Sequence, residues 1–207
     1  PIRIRWWIFS YMFGFAMLSY VQRTSIGIAA ERIEPELHLS QLQVGWLMWA
    51  FTVAYTVMQV PAGALGQRFG ARATYVTLGL VGFAATVATP LAPELMSGTP
   101  LFVMLVLAQA VLGASQAPVF PVFAGVVEAW FPQSRWAVAN GVQSSGMNFG
   151  TALTPPLIVL LTQAFGWQGA LLWIAVPAIT LTLAWGWYGR NSPREHRAVT
   201  PAELAEL

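Results

Sequence analysis

The sequence contains no cysteine, no aspartate and no lysine in 207 residues. The absence of cysteine excludes disulfide bonds and thiol chemistry. The two histidines, His38 and His196, lie far apart in polar segments, so the sequence offers no compact ligand set for a metal ion. All ten basic residues are therefore arginines, and all eight acidic residues are glutamates. We expect neither a metal ion nor any other cofactor.

Charged residues of either sign are scarce, at 9% of the chain against about 25% in an ordinary soluble domain. Hydrophobic residues make up 57% of the chain, and the mean hydropathy is +0.61. A formal net charge of only +2 gives no indication of nucleic-acid binding. This composition predicts an integral membrane protein whose main surroundings are the lipid bilayer.

Hydropathy predicts six membrane spans, each near or above the ~20 residues that a bilayer requires. They cover residues 6–30, 42–65, 73–92, 101–131, 136–164 and 169–188. The first span is too long for a signal peptide and lacks a cleavage pattern, so we expect it to be retained. The prediction is an all-α membrane protein, with a six-helix bundle at 1–188 and the start of a solvated cytoplasmic linker at 189–207.

The arginines outside these spans are distributed unevenly between the two sides of the membrane. Only Arg32 falls on one side. Eight fall on the other: Arg3, Arg5, Arg68, Arg72, Arg135, Arg190, Arg194 and Arg197. Because short cytoplasmic loops carry an excess of basic residues, both ends of the chain are expected to be cytoplasmic.

Arg23 is the one permanent charge deep inside a predicted span. It lies eight residues before Glu31, where the polar loop begins, which is about 12 Å along a helix. A guanidinium in lipid costs about 3 to more than 10 kcal/mol, so such residues usually face a bundle interior or a water-filled cavity. The alternative is that Arg23 extends its side chain outward to the lipid headgroups. The functional interpretation is an anion-binding cation in a transport cavity.

Neutral polar residues also fall within the spans. They are Gln22, Gln59, Gln116, Gln143 and Asn148, with Tyr55 one turn from Gln59 on the same helix face. Each one alone could be an ordinary interhelical hydrogen bond worth less than ~1 kcal/mol. Five amides and a cation distributed over four spans favour the lining of a polar cavity.

The turn between the second and third spans reads GALGQRFGAR, with Gly63, Gln67, Arg68, Gly70 and Arg72 at its key positions. It resembles the signature loop of the major facilitator superfamily, Gly-x-Leu-x-Asp-Arg-x-Gly-x-Arg. The resemblance implies that the six spans form a three-plus-three inverted repeat and are the N-terminal half of a twelve-helix fold. A C-terminal six-helix half would then be the partner of this bundle.

Further segments narrow the resemblance to one family. These are SYVQRTSIGIAA, YTVMQVPAGALGQRFGAR, LGASQAPVFPVFAGVVEAWFPQSRWAVANG, TPPLIVLLTQAFGWQGALLW and SPREHRAVTPAEL. In this order they resemble the anion:cation symporter family, whose bacterial members carry hexuronate, glucarate, galactonate, tartrate and phthalate. The likeness covers most of the chain.

The resemblance also implies roles for individual residues. Arg23 matches the arginine that binds the substrate carboxylate, Tyr55 a substrate-contacting tyrosine, and Gln143 a polar substrate contact. The chain departs from the family by having Gln22, Gln116 and Gln67 where the family has acids. The family's first two acids take part in proton coupling, so coupling is doubtful here, and Gln22 and Gln116 are expected to bond substrate hydroxyls instead.

Together these features predict an inner-membrane secondary transporter of small organic anions that works by alternating access. The alternative is a transport-inactive relative that serves as a membrane interaction or assembly protein. An enzyme is not expected, because the spans contain no acid/base pair or cluster of metal ligands.

Overall fold

The computed structural model describes residues 4–196 and residue 199, apart from the side chain of Arg5. The regular structure of this part of the chain is helical. Five α-helices are α1 (Ile4–Glu36), α2 (Gln41–Leu95), α3 (Gly98–Gln116), α4 (Val119–Trp130) and α5 (Trp136–Tyr188). Two short 3₁₀ helices cover Gln133–Arg135 and Pro193–Glu195. Residues 197, 198 and 200–207 of the predicted linker lie outside the described residues, as does Arg3.

Helix α2 folds back on itself at Gly70. A straight helix of 55 residues would be about 80 Å long, more than twice the ~30 Å hydrocarbon thickness of a bilayer. Gly70 has a non-helical backbone with φ 81° and ψ 161°, a conformation that glycine adopts without a steric penalty. Phe51 and Ala85, on opposite sides of this residue, pack in one cluster with Leu112. Residues 41–69 and 71–95 are therefore two arms of α2 that lie side by side.

Helix α5 is divided in the same way at Gly166, which has φ 72° and ψ 170°. Ile158 and Ile174 lie eight residues before and after it, and both belong to one buried cluster. Residues 136–165 and 167–188 are therefore the two arms of α5. The predicted spans 136–164 and 169–188 fall on different arms.

Helix α1 packs closely along the first arm of α5. A Cβ atom added at Gly146 would lie 2.6 Å from the carbonyl oxygen of Phe13, and one added at Gly150 would clash with the carbonyl of Met17. Only glycine permits this approach of two helix backbones. Because the contacts advance together along both helices, α1 and this arm run in parallel.

Two buried clusters hold α1 at its two ends. The first joins Ile8 and Met12 to α4 and to Trp185 of α5. The second joins Ile26 and Ile33 of α1 to the neighbourhood of the Gly166 turn. Three stretches of the described chain are long and apolar enough to cross a membrane: Gln41–Leu95, Gly98–Trp130 and Gln133–Tyr188. Helix α1 is the least apolar of the five helices, because its middle holds Arg23 and Gln22.

The chain after α5 does not run directly into solvent. Pro193 is buried, and the ring of His196 packs at 5.9 Å from that of Trp130. Asn191, Arg194 and Glu195 of this segment are exposed, as expected for a solvated linker, while Pro193 is buried and His196 contacts the end of the bundle.

Candidate functional site

Arg23 lies in the middle of α1 with its side chain half-buried among aromatic rings. Its Cζ atom is 5.7 Å from the ring centroid of Tyr20, 5.5 Å from that of Phe51 and 5.2 Å from that of Tyr55. Tyr20 precedes Arg23 by one turn of α1. Phe51 and Tyr55 are one turn apart on the first arm of α2 and stack on each other, with centroids 6.1 Å apart and planes 8° apart. Three rings from two helices thus frame the guanidinium.

The frame positions the guanidinium without using its hydrogen-bonding capacity. Contact with a ring face is worth about 0.5–1 kcal/mol at exposed sites and up to ~2 kcal/mol when desolvated. Among the residues that the structure describes, Arg23 has no carboxylate partner and no hydrogen bond. A guanidinium presents N–H donors in a planar fork that fits a carboxylate bidentately. The N–H donors of Arg23 are therefore unused within the described residues.

Gln22, the residue before Arg23, belongs to a different and buried site. Its Nε2 donates to Thr86 Oγ1 at 3.1 Å, and its Oε1 accepts from Gln116 Nε2 at 3.1 Å. Thr86 in turn donates to the carbonyl of Gly82 at 2.9 Å. Gln22 and Gln116 are 9% and 7% exposed, so this amide chain is enclosed by the helices that it links. We refer to Gln116, Gln22 and Thr86 as the buried amide chain.

The space beside the buried amide chain is small. One cavity that touches Gln22 and Gln116 has a volume of about 50 Å³, and another that touches Gln22 and Thr86 about 10 Å³. Pockets that hold an organic ligand usually measure about 300–1,000 Å³. The structure therefore brings Gln22 and Gln116 together and uses their amides within the bundle, and their role as substrate contacts stays a prediction.

Gln143 lies apart from Arg23. Its side chain is 7% exposed, and its Nε2 has no hydrogen-bond partner among the described residues. The contacts of Gly146 with Phe13 and of Gly150 with Met17 place Gln143 about 20 Å from Arg23 along the two parallel helices, at about 1.5 Å per residue. Its role as a substrate contact stays a prediction.

The signature loop lies at the Gly70 turn of α2. Gly63 and Gly66 face α4, where a Cβ on Gly63 would lie 3.4 Å from Pro121. Gln67 and Arg68 are exposed, and Arg68 packs over the ring of Phe69 at 5.4 Å. Arg72 donates from Nε to the carbonyl of Gly186 at 2.8 Å. The loop thus connects the first arm of α2 to α4 and the second arm to the end of α5.

The sequence did not point to Tyr20, Phe51 or Thr86 as members of these sites. Two of them carried a signal, because Tyr20 is three residues from Arg23 and Phe51 is four from Tyr55, and residues at these spacings share a helix face. Thr86 carried none, since its pairing with Gln22 depends on how α2 folds back. Within the described residues no group of three or more His, Cys, Asp or Glu could hold a metal ion.

A helical bundle with three apolar stretches long enough to cross a membrane is typical of an integral membrane protein. Across residues 12–207 the sequence matches the Major Facilitator Superfamily. The chain belongs to this superfamily. This confirms the resemblance that the signature loop and the ordered motifs indicated.

Curated relatives carry organic anions according to their names. The chain is 29% identical over 206 residues to a probable sulfoacetate transporter of Cupriavidus necator, covering 100% of this chain and 46% of the relative. It is 31% identical over 211 residues to a probable galactarate/D-glucarate transporter of Escherichia coli, covering 98% and 45%. A D-galactonate transporter of Escherichia coli is 28% identical, with 99% and 46% covered. The relatives are named as transporters and not as enzymes, and the chain spans slightly less than half of their length.

Among solved structures, the chain resembles a bacterial homolog of the human lysosomal transporter Spinster, in an inward-facing and unoccupied conformation. The TM-score is 0.81 at 19% sequence identity, covering 100% of this chain and 48% of that one. At this identity the likeness establishes the fold alone.

Proposed function

We propose that this chain is the N-terminal six-helix half of a secondary transporter of small organic anions that works by alternating access. In this proposal α1, the two arms of α2, the α3–α4 pair and the two arms of α5 are six spans arranged as a three-plus-three inverted repeat. The turns at Gly70 and Gly166, together with a chain length near half that of the relatives, support this arrangement.

The geometry of Arg23 is the observation that carries the proposal. A cation held at 5.2–5.7 Å from three rings, with no carboxylate partner in the described chain, is stable only where an anion or water completes its surroundings. A bound carboxylate or sulfonate would accept two of its N–H groups, and Tyr55 lies beside it to contact the same ligand. The named substrates of the relatives are organic anions of this chemistry.

The exposed polar residues of α5 support the proposal that this helix contacts a partner bundle. Ser144, Ser145 and Asn148 are exposed on the first arm of α5, as are Asn140 and Thr151. Polar side chains at such depth usually face another helix or a water-filled cavity and not lipid. We infer that this face meets the C-terminal half, with the substrate between the two.

Coupling to protons through this half is not expected. The buried amide chain consists of groups that cannot titrate, so their state is independent of pH. We propose carriage driven by the substrate gradient, or by an ion bound in the other half, with little pH dependence between about 5 and 8.

We further propose a bacterial inner-membrane location with both ends of residues 1–207 cytoplasmic, supported by the eight arginines on one side. A single cysteine at Ala71 tests this orientation, because the 207 residues contain no other cysteine. It should be protected from an impermeant thiol reagent outside intact cells and react in inside-out vesicles. Reaction from outside would show that the chain has the opposite orientation.

Uptake by the complete transporter that contains this chain tests the function. Proteoliposomes should take up at least one of radiolabelled galactarate, D-glucarate, D-galactonate or sulfoacetate with saturation. Saturable uptake of none of them, by protein shown to be folded in the bilayer, would favour a transport-inactive relative.

A further inference from the structure

The segment that follows α5, residues 189–196, contacts the turn at Gly70. The side chain of Asn191 lies so close to Gly70 that a Cβ atom there would be 2.5 Å from its Nδ2 and 2.6 Å from its Oδ1. The Oδ1 accepts the backbone N–H of Arg72 at 2.9 Å. Asn191 therefore occupies the space that the glycine leaves and satisfies a donor at the start of the second arm of α2.

The Gly70 turn is also bound to the end of α5 itself. The guanidinium of Arg72 donates to the carbonyl of Gly186 from both Nε and Nη2. The last carbonyls of a helix lack intrahelical partners and form the negative end of its dipole, so a cation there is stabilising. Arg72 and Asn191 thus attach the turn to α5 and to the segment that follows it.

At its other end the segment contacts α4. The His196 ring is 5.9 Å from the ring of Trp130, the last residue of α4, and 4.8 Å from that of Tyr188. Between the two contact points Pro193 is buried, and Ser192 Oγ accepts the N–H of Arg194 at 3.3 Å to begin the short 3₁₀ helix. The segment therefore spans from the Gly70 turn to the end of α4.

We propose that residues 189–196 form a strap that ties the Gly70 turn and the end of α4 to α5, so that these parts move as one body during the transport cycle. Asn191 is its positioning residue. The inference rests on the proposed function only for its effect on uptake. Because the strap lies far from Arg23, loosening it should slow the cycle and leave the affinity for the anion unchanged.

The test uses the complete transporter, with any cysteine outside these 207 residues replaced, and the variant Asn191→Ala. Gln133→Ala is the matched control, since this amide side chain is exposed and forms no hydrogen bond within the described residues. A cysteine at Ala71, beside Gly70, reports how open the turn is. Asn191→Ala should raise its labelling rate in inside-out vesicles at least threefold and lower the maximal uptake rate at least threefold, with KM within twofold.

A second variant, Gly70→Ala, should reproduce both effects, because the added methyl group displaces Asn191 and strains a positive φ. A labelling rate within 1.5-fold of the control in both variants would overturn the proposal of a strap. So would a loss of uptake that disappears when the rate is expressed per molecule in the membrane. If the unaltered protein carries no anion, the proposed function fails while the labelling measurement still decides on the strap.

Discussion

Gln22 and Arg23 are neighbours on α1, yet they lie in opposite kinds of site. Successive residues of a helix point about 100° apart, so Gln22 faces α3 and the second arm of α2 while Arg23 faces the first arm. Gln22 is enclosed and hydrogen-bonded through both ends of its amide, to a hydroxyl on α2 and an amide on α3. Arg23 is half-buried, framed by rings and without a partner in the described chain.

The difference indicates that the bundle uses Gln22 for its own stability and leaves the N–H donors of Arg23 unused within the described residues. A buried polar group is costly unless it is paired, so the amide chain favours one fixed arrangement of three helices. The rings stabilise the guanidinium without accepting hydrogen bonds, and under the proposed function its donors bind the anion. We therefore expect changes at Gln22 to affect stability and changes at Arg23 to affect binding.

The largest effect is expected at the cation. Arg23→Lys keeps the charge but loses the planar fork that grips a carboxylate at two points. Loss of one charge-assisted hydrogen bond is worth about 1.5–3 kcal/mol, so the apparent affinity for the anion should fall about 10-fold to 100-fold. Concentration-dependent uptake measures this.

Arg32→Lys, at the exposed end of α1, is the control and should leave uptake unchanged. Uptake and affinity at unaltered levels in Arg23→Lys would favour the alternative that this side chain reaches lipid headgroups.

The next largest effect is on the pH dependence of uptake. It would make the Gln22 site charged, like the Arg23 site. The double change Gln22→Asp with Gln116→Glu places two acids within the buried amide chain, one residue along α1 from the cation. An ionised carboxylate there lowers the positive potential at Arg23 and so weakens binding of the substrate anion. Desolvated acids titrate above their ordinary range, so uptake by this variant should fall several-fold as pH rises from about 5 to 8. The unaltered protein should be nearly constant over the same range.

Uptake measured at both pH values, without a pH gradient, compares the two proteins. A strong pH dependence in the unaltered protein, with no titratable residue in the cavity of the other half, would contradict the inert role of the amides.

A smaller and different effect is expected when the amide chain alone is broken. Gln22→Leu removes the acceptor of Gln116 Nε2 and the donor to Thr86 Oγ1, which keeps only its bond to Gly82, and this should cost about 1–3 kcal/mol of stability. Thermal unfolding of the purified transporter should shift downward, while KM stays within twofold. Gln163→Leu, on the exposed surface of α5, is the matched control. A tenfold rise in KM would instead place Gln22 in the substrate site.

The smallest effect is expected from a single ring of the frame. Tyr55→Phe keeps the ring at 5.2 Å from Arg23, whereas Tyr55→Leu removes it. Loss of one cation–π contact is worth about 0.5–1 kcal/mol, so the leucine variant should bind the anion about 2-fold to 5-fold more weakly than the phenylalanine variant. Equal affinities in the two variants would exclude the ring face as a determinant, and a large loss in both would assign the role to the hydroxyl.

Sequence patterns predicted the helices well where length and hydropathy determine their positions. The apolar stretches, the turn at Gly70 and the position of Arg23 well inside a helix could all be predicted, because each depends on local spacing. The pairing of Gln22 with Thr86 could not, since it joins residues 64 positions apart after α2 has folded back. For the same reason the sequence grouped Gln22 and Arg23 in one cavity, although their helix positions separate them.

The packing of residues 189–196 also could not be predicted from the sequence. A run with Arg190, Arg194 and Glu195 has the composition of a solvated segment. Its contacts come from Asn191, which bonds to α2, and from His196, which packs on rings of α4 and α5, while Pro193 between them is buried.

The central claim is that the Arg23 guanidinium receives the anion. Phenylglyoxal modifies accessible arginines, and mass spectrometry of the complete transporter can follow Arg23 and the exposed Arg68 in one sample. A saturating transported anion should slow modification at Arg23 several-fold and leave Arg68 unchanged. Equal rates at Arg23 with and without the anion, in protein that takes the anion up, would contradict the account.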